Sequence, residues 1–230
     1  MQLRCTALLF DLDGVLVDSR AVVERTWRLW AARHQLDVEG VLRVVHGRRS
    51  RETVREVAPH LDLDAEVAWV DATEVANSDG LRAVPGAQRL VSTLPADTWA
   101  VVTSGGQTLA RSRLEAAGIP APRLLISSDD VVNGKPAPDG YLLAAERLGR
   151  APATCLVFED APPGIAAARA AGARVVALTT THAADRLQGA VAMIPDLTLL
   201  PVAAAERRTT KTRRRRWRRT PRRRSRPTAW

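Results

Sequence analysis

An apolar run that ends in two carboxylates and a glycine constrains this chain more than any other stretch: Leu8-Leu9-Phe10-Asp11-Leu12-Asp13-Gly14-Val15-Leu16-Val17-Asp18-Ser19. Side chains alternate faces along a strand, so Asp11 and Asp13 project the same way while Leu12 points back into the protein. Gly14 then lets the chain turn away tightly. On its own the segment reads equally well as a buried strand closed by an Asp-Gly turn.

Three further segments end apolar runs in groups suited to a phosphate and a metal ion. Ala100-Val101-Val102-Thr103-Ser104-Gly105-Gly106 closes a strand with a hydroxyl and a glycine-rich turn, whose backbone N–H groups can cradle an anion. Asn133-Gly134-Lys135-Pro136-Ala137-Pro138-Asp139 sets Lys135 in a loop ahead of a helix expected to begin near Pro138. Cys155-Leu156-Val157-Phe158-Glu159-Asp160-Ala161-Pro162-Pro163-Gly164-Ile165 ends a strand in two acids and opens a helix with proline in its first turn. Taken singly, each has a plainer alternative: a routine strand-to-helix turn, a solvated lysine, or acids that only cap a helix.

From about Val84 onward, apolar strands alternate with segments of helical period, the pattern of an α/β doubly wound parallel sheet. Strands are expected near 5–10, 98–103, 123–127, 154–158, 173–178 and 190–194. Between Asp18 and about Leu81 the pattern is helical throughout, with helices expected near 20–35, 50–58 and 62–77. That block interrupts a β/α core directly after its first strand, and so reads as an inserted helical cap domain. The expected organisation is a catalytic core over 1–17 and 82–205, a cap over 18–81 and a tail over 206–230, with hinges around Val15–Ser19 and Gly80–Pro85. Ligands of open α/β sheets bind beyond the carboxyl ends of the strands, where all four motifs lie.

Charge is divided unevenly. Residues 206–230 hold thirteen basic residues against one acid, so a chain of net charge +9 carries −3 over residues 1–205. The tail has too little apolar surface to offset the entropy of ordering and is expected to be disordered. Thr212–Arg226, with Trp217 among its arginines, suits nucleic acid or another polyanion bound by counterion release. The plainer reading is an incidental or misread carboxyl terminus. No apolar run approaches the roughly 20 residues of a membrane helix, and Met1-Gln2-Leu3-Arg4 leads into the first strand without a hydrophobic leader. Cys5 and Cys155 sit at core strands, as small apolar residues rather than a disulfide framework. A cytoplasmic protein with no membrane association is expected.

Taken in order, the four segments resemble the motifs of the haloacid dehalogenase superfamily, the aspartate-nucleophile phosphohydrolases, over roughly residues 1–200. Within it the chain looks most like the small sugar and polyol phosphatases, a group that includes 2-deoxyglucose-6-phosphate and glycerol phosphatases. The resemblance implies a Mg²⁺-dependent phosphatase hydrolysing small phosphate monoesters through an aspartyl-phosphate. It implies Asp11 as nucleophile and metal ligand, Asp13 as general acid and base and a ligand through its backbone carbonyl, and Asp160 as the second metal carboxylate. Glu159 is implied as a ligand or a supporting group. Thr103, the amides of Ser104 and Gly105, and Lys135 are implied to hold the phosphoryl oxygens.

Departures from related chemistries narrow the resemblance. Dehalogenases have no alkoxide to protonate and lack the acid that Asp13 supplies here. The similar β-phosphoglucomutases carry a histidine twelve residues past the nucleophile, where this chain has Val23, so a phosphomutase is the second reading. Phosphonatases need a cap lysine, and residues 18–81 contain none. Within the cap, His46-Gly47-Arg48-Arg49-Ser50-Arg51-Glu52-Thr53 is a basic turn before a helix that Ser50 is expected to cap. His46, Arg48 and Arg49 are candidate substrate contacts, the alternative being a solvated turn. Trp27 and Trp30 share a helix face and are expected to be packing residues rather than a sugar platform. The expected partner is a small phosphorylated metabolite and the expected state a monomer.

Overall fold

The computed structural model describes residues 3–200, so the arginine-rich segment 206–230 and the disorder and polyanion binding expected of it lie outside the described residues. In chain order the elements are β1 (Ala7–Phe10), β2 (Val17–Asp18), α1 (Arg20–Arg33), α2 (Val38–Leu42), α3 (Ser50–Val57), α4 (Leu63–Ala76), β3 (Arg82–Ala83) and α5 (Ala87–Thr93). They continue with β4 (Trp99–Val102), α6 (Gln107–Ala116), β5 (Leu125–Ile126), α7 (Asp139–Arg147), β6 (Cys155–Glu159), α8 (Pro162–Ala170), β7 (Arg174–Leu178) and β8 (Ala192–Ile194). Three short 3₁₀ turns lie between them.

Six strands form one parallel sheet in the order β5-β4-β1-β6-β7-β8, at the places where the apolar runs predicted strands. The pleat sorts each run between two cores. Leu9, Ala100, Val102, Val157 and Val175 pack on one face with Tyr141 and Ala144 of α7 and Ile165 and Ala168 of α8. Phe10, Val101, Phe158, Val176 and Leu178 pack on the other with Leu90 of α5 and Ala110 and Leu114 of α6. Because helices cover both faces, the strands read as unbroken apolar runs instead of alternating ones. Phe10 stacks on Phe158 at 5.0 Å and meets Trp99 edge-on at 6.1 Å, pairs worth about 0.5–1.5 kcal/mol each beyond the area they bury.

The helices between β2 and β3 close on a third core of their own, including Trp27, Trp30, Val41, Val54 and Val70. Trp27 and Trp30 are both buried and meet edge to face at 5.2 Å, Trp30 as a packing residue and Trp27 also facing a cleft against the sheet. The Trp30 indole N–H donates to Glu66 at 2.8 Å, and the His34 ring reaches the same oxygen at 2.9 Å. Asp62 caps α4, its carboxylate accepting the amides of Asp64 and Ala65.

Two features depart from the sequence reading. Ser50 does not cap α3: it is the first helical residue, Arg49 holds the cap position without a side-chain bond, and the Ser50 hydroxyl donates to Asp71 at 3.3 Å. The Arg49 guanidinium is drawn instead to the carbonyls of Val131 and Val132, which fixes the chain in an extended conformation one residue earlier than expected. The two connections to the helical block are not separate strands of loop, since Val17 pairs with Ala83 and Asp18 with Arg82 in an antiparallel ribbon. Neither this ribbon nor the five-residue α2 is long enough for periodicity to reveal. Cys5 and Cys155 are free thiols. Among the described residues, no helix is long and apolar enough to cross a membrane.

Candidate active site

The sheet order explains why residues far apart in sequence meet. β1 lies between β4 and β6, all three parallel, so the segments that follow them, carrying Asp11, Thr103 and Asp160, leave the sheet side by side at its carboxyl edge. Lys135 arrives from the loop between β5 and α7. Asp11 and Asp13 both open onto one cleft, while Leu12 is buried in the core. The helical block supplies the opposite wall of that cleft with Val23, Trp27, Val45, His46, Arg48 and Glu74.

Lys135 is the hub. Its buried ammonium donates to Asp11 Oδ1 and Glu159 Oε1, each at 2.5 Å, and to the Val102 carbonyl at 3.3 Å, which occupies all three of its donors. Burial pulls its pKa down, but the Asp11 and Glu159 carboxylates outweigh that and hold it above the ordinary lysine value. Glu159 is fully engaged too. Its Oε1 also accepts the Tyr141 hydroxyl at 2.7 Å, and its Oε2 accepts the amides of Asp160 and Ala161 at 3.1 and 3.4 Å. Gly164 makes room for it, because a Cβ there would fall 1.7 Å from Glu159 Oε1.

Asp11 and Asp160 are differently placed. Among the described residues, Asp11 Oδ2 and Asp160 Oδ1 accept no hydrogen bond, whereas Asp11 Oδ1 is held by Lys135 and Asp160 Oδ2 by the Thr181 hydroxyl. Burial, against the pull of Lys135, pushes Asp11 up to about 7. Burial, with the neighbouring charges of Asp11 and Glu159, pushes Asp160 well above the usual carboxylate range. Oxygens of Asp11, Glu159 and Asp160 lie within 4.8 Å of one another, all buried. Three carboxylates facing one ammonium leave an excess of buried negative charge, and two free hard oxygen donors fit a divalent cation there.

Gly14 fits closely beneath this cluster. It has φ +76°, and the Thr180 hydroxyl donates to its carbonyl at 2.6 Å. The following turn is pinned by Gly14 N–H to the Val17 carbonyl at 2.7 Å.

Asp13 is gripped from two sides, its Oδ1 accepting from Ser19 and its Oδ2 from Arg113, both at 2.6 Å. Arg113 also bonds the Glu74 carboxylate of α4. Burial, against the pull of Arg113, raises Glu74 to about 7. For Arg113 itself burial works downward, and Asp13 and Glu74 more than offset it. Thr103 is buried and its Oγ1 accepts the Gly105 amide at 3.1 Å; Ser104 and Gly105 line the cleft, and the Ser104 hydroxyl reaches the Gly47 carbonyl at 3.4 Å.

Of the three candidate contacts in the helical block, His46 and Arg48 line the cleft and Arg49 does not. His46 lies 3.8 Å from Glu24 and 6.4 Å from the His182 ring, and burial holds its pKa below the ordinary value. Arg48 pairs with Glu56 at 2.6 Å. Arg49 leans over Gly134 toward the carbonyls of Val131 and Val132, tying the helical block to the loop that carries Lys135. The sequence reading did not single out Arg113, Glu74, Tyr141 or Thr181. For the first two a signal existed in the spacing: Arg113 falls among Leu109, Ala110 and Leu114, and Glu74 follows Val70 by four residues on one helix face.

A family model described as a haloacid dehalogenase-like hydrolase matches residues 5–172. Hexitol phosphatase A of Escherichia coli (strain K12) is 43% identical over 190 residues, covering 80% of this chain and 88% of that protein. Glycerol-1-phosphate phosphohydrolase 2 of Saccharomyces cerevisiae is 34% identical over 201 residues, covering 82% and 80%. The crystal structure of a hydrolase from Pseudomonas syringae superposes with a TM-score of 0.74 at 27% identity, over 84% of this chain and 94% of that one.

Proposed function

Because the chain belongs to the haloacid dehalogenase-like hydrolases, we propose that it is a Mg²⁺-dependent phosphatase of small sugar or polyol phosphates that works through an aspartyl-phosphate on Asp11. The observation that carries this reading is the division of Asp11: one oxygen is fixed by Lys135 and the other, which accepts no hydrogen bond among the described residues, lies beside Asp160, with a second acid, Asp13, two residues on. Asp11 and Asp160 side chains and the Asp13 backbone carbonyl would hold the ion, which supplies the positive charge that lets a carboxylate approach a phosphate dianion.

In this reading Asp11 attacks phosphorus with one carboxylate oxygen and turns the other to the ion, while Lys135 orients the carboxylate. Asp13 gives its proton to the departing ester oxygen, then takes one from the water that hydrolyses the intermediate. Thr103 and the amides of Ser104 and Gly105 hold the phosphoryl oxygens, with Lys135 offsetting their charge. Glu159, spent on four hydrogen bonds, acts by orienting Lys135 and Tyr141 rather than as a ligand. Residues 18–81 act as a cap hinged at the ribbon, and His46 and Arg48 reach the substrate from it. Val23 on the cleft wall, where an imidazole would serve a phosphomutase, supports hydrolysis. The relatives named for hexitol and glycerol phosphates support a hydroxylated substrate. We take the protein to be a cytoplasmic monomer whose residues 206–230 are not needed for turnover.

The test is phosphate release by the full-length protein over a panel of hexitol, glycerol and sugar phosphates, with Mg²⁺ or EDTA. Turnover is expected in Mg²⁺ alone and is expected to fall at least about 10³-fold in Asp11→Asn. Release that EDTA or Asp11→Asn leaves intact, or no release from any ester, would overturn the proposal.

A further inference from the structure

One guanidinium joins three parts of this molecule. Arg113 of α6 in the core is 5% exposed, and it donates from Nη1 to Asp13 at 2.6 Å and from Nη2 to Glu74, which lies in the last turn of α4 and is 4% exposed. The other Asp13 oxygen accepts from Ser19, the residue just before α1. One Asp13 oxygen is therefore held at the entry to the helical block, and the other by a core arginine that is itself tied to the last turn of the block's final helix.

We propose that Arg113 is a positioning residue which, through Glu74, makes the orientation of Asp13 depend on the cap being seated on the core. The inference rests on the reading of Asp13 as the proton donor. A buried ion pair is a costly way to join two helices, since apolar residues of similar volume often stabilise as well or better. Its neighbours on α6 are Leu109, Ala110 and Leu114, so an apolar contact was the simpler solution at this place. A guanidinium offers what an apolar contact lacks, because its donors form a rigid planar fork. With one arm on Glu74 and one on Asp13, a shift of α4 turns the plane and carries the Asp13 carboxyl with it.

Leaving-group dependence tests this. An alkoxide needs a proton as it departs and a p-nitrophenolate does not, and kcat/KM reports the steps up to transfer onto Asp11. We would compare glycerol 1-phosphate, n-propyl phosphate and p-nitrophenyl phosphate with the full-length protein in Mg²⁺. Arg113→Lys keeps the charge but not the fork. It is expected to lower kcat/KM by the same factor, about 10–100-fold, for the two alkyl esters and to leave p-nitrophenyl phosphate within about 3-fold. Glu74→Gln, which still accepts a hydrogen bond, is expected to give the same pattern with smaller losses, and it decides the matter if Arg113→Lys does not fold. Equal losses on all three esters would mean a structural role only, and a loss confined to glycerol 1-phosphate would mean a contact to substrate hydroxyls; either result, or no loss, overturns the proposal. A wild-type protein inactive on all three would instead count against the phosphatase reading.

Discussion

Gly14 lies directly against the carboxylate of Asp160: a Cβ built on Gly14 would stand 2.1 Å from Oδ2 and 2.9 Å from the Thr181 methyl. A side chain there must displace the carboxylate, and φ +76° adds backbone strain of about 1–2 kcal/mol for any other residue. Gly14→Ala is therefore expected to melt several degrees lower and to show none of the rise in melting temperature that Mg²⁺ is expected to give the wild type. An unchanged Mg²⁺ response in differential scanning calorimetry would mean that Asp160 takes no part in holding the ion.

Burial of Glu74 gives stability a pH dependence whose sign follows from its raised pKa. Its folded pKa of about 7 stands above its unfolded value near 4.5, so the native state holds a proton that the unfolded chain has already released. The contribution is fully present below pH 4.5, declines as pH rises and is gone above about 7. His46 and His182, which burial lowers, act in the opposite sense. The quantity to measure is thus the difference in unfolding free energy between wild type and Glu74→Gln. It should move against the wild type by about 2–3 kcal/mol between pH 4.5 and 7.5; a constant difference would contradict the raised pKa.

Removing Lys135 leaves Asp11 and Glu159 buried without a cation. Lys135→Met is expected to destabilise the metal-free protein by about 3–5 kcal/mol, the usual cost of breaking a buried pair from one side. Urea titration of the two proteins would show it as a lower midpoint at similar slope. A change under about 1 kcal/mol would mean that the carboxylates are neutral in the native state.

Trp30→Phe tests the third core. The ring volume is largely kept, but Glu66 loses the indole N–H and, among the described residues, retains His34 alone. The expected cost is about 1–2 kcal/mol, with kcat/KM on small phosphate esters unchanged because neither residue lines the cleft.

Residues placed by the sheet were legible in the sequence; residues that meet across from one helix to another were not. Asp11, Thr103 and Asp160 each follow an apolar run, and a parallel sheet brings the ends of such runs to one edge whatever the helices do. Lys135 was visible because a lysine amid Gly-Lys-Pro-Ala-Pro carried a family likeness. Arg113 and Glu74 carried none. Each looks like one more charged residue on a helix until the inward face of that helix is counted, and only the packing of α4 on α6 shows that they meet. The ribbon was invisible for another reason, since two-residue strands paired across sixty-four and sixty-six positions leave no period to detect. Arg49 shows the limit of reading a basic turn, because composition cannot tell a side chain aimed into the cleft from one satisfied by nearby carbonyls.

Both passages of the chain between the core and the helical block run through that ribbon, with Val17 beside Ala83 and Asp18 beside Arg82. The ends left by cutting there are already neighbours, and a two-residue reverse turn is enough to rejoin strands so spaced. Any insert whose ends meet at one strand spacing fits the same socket without moving a strand of the large sheet. On the proposed reading, in which the helical block meets the substrate, such an exchange would change what the cleft admits while Asp11, Thr103, Lys135 and Asp160 keep their places on the sheet, and only Arg113 would need a new partner in place of Glu74.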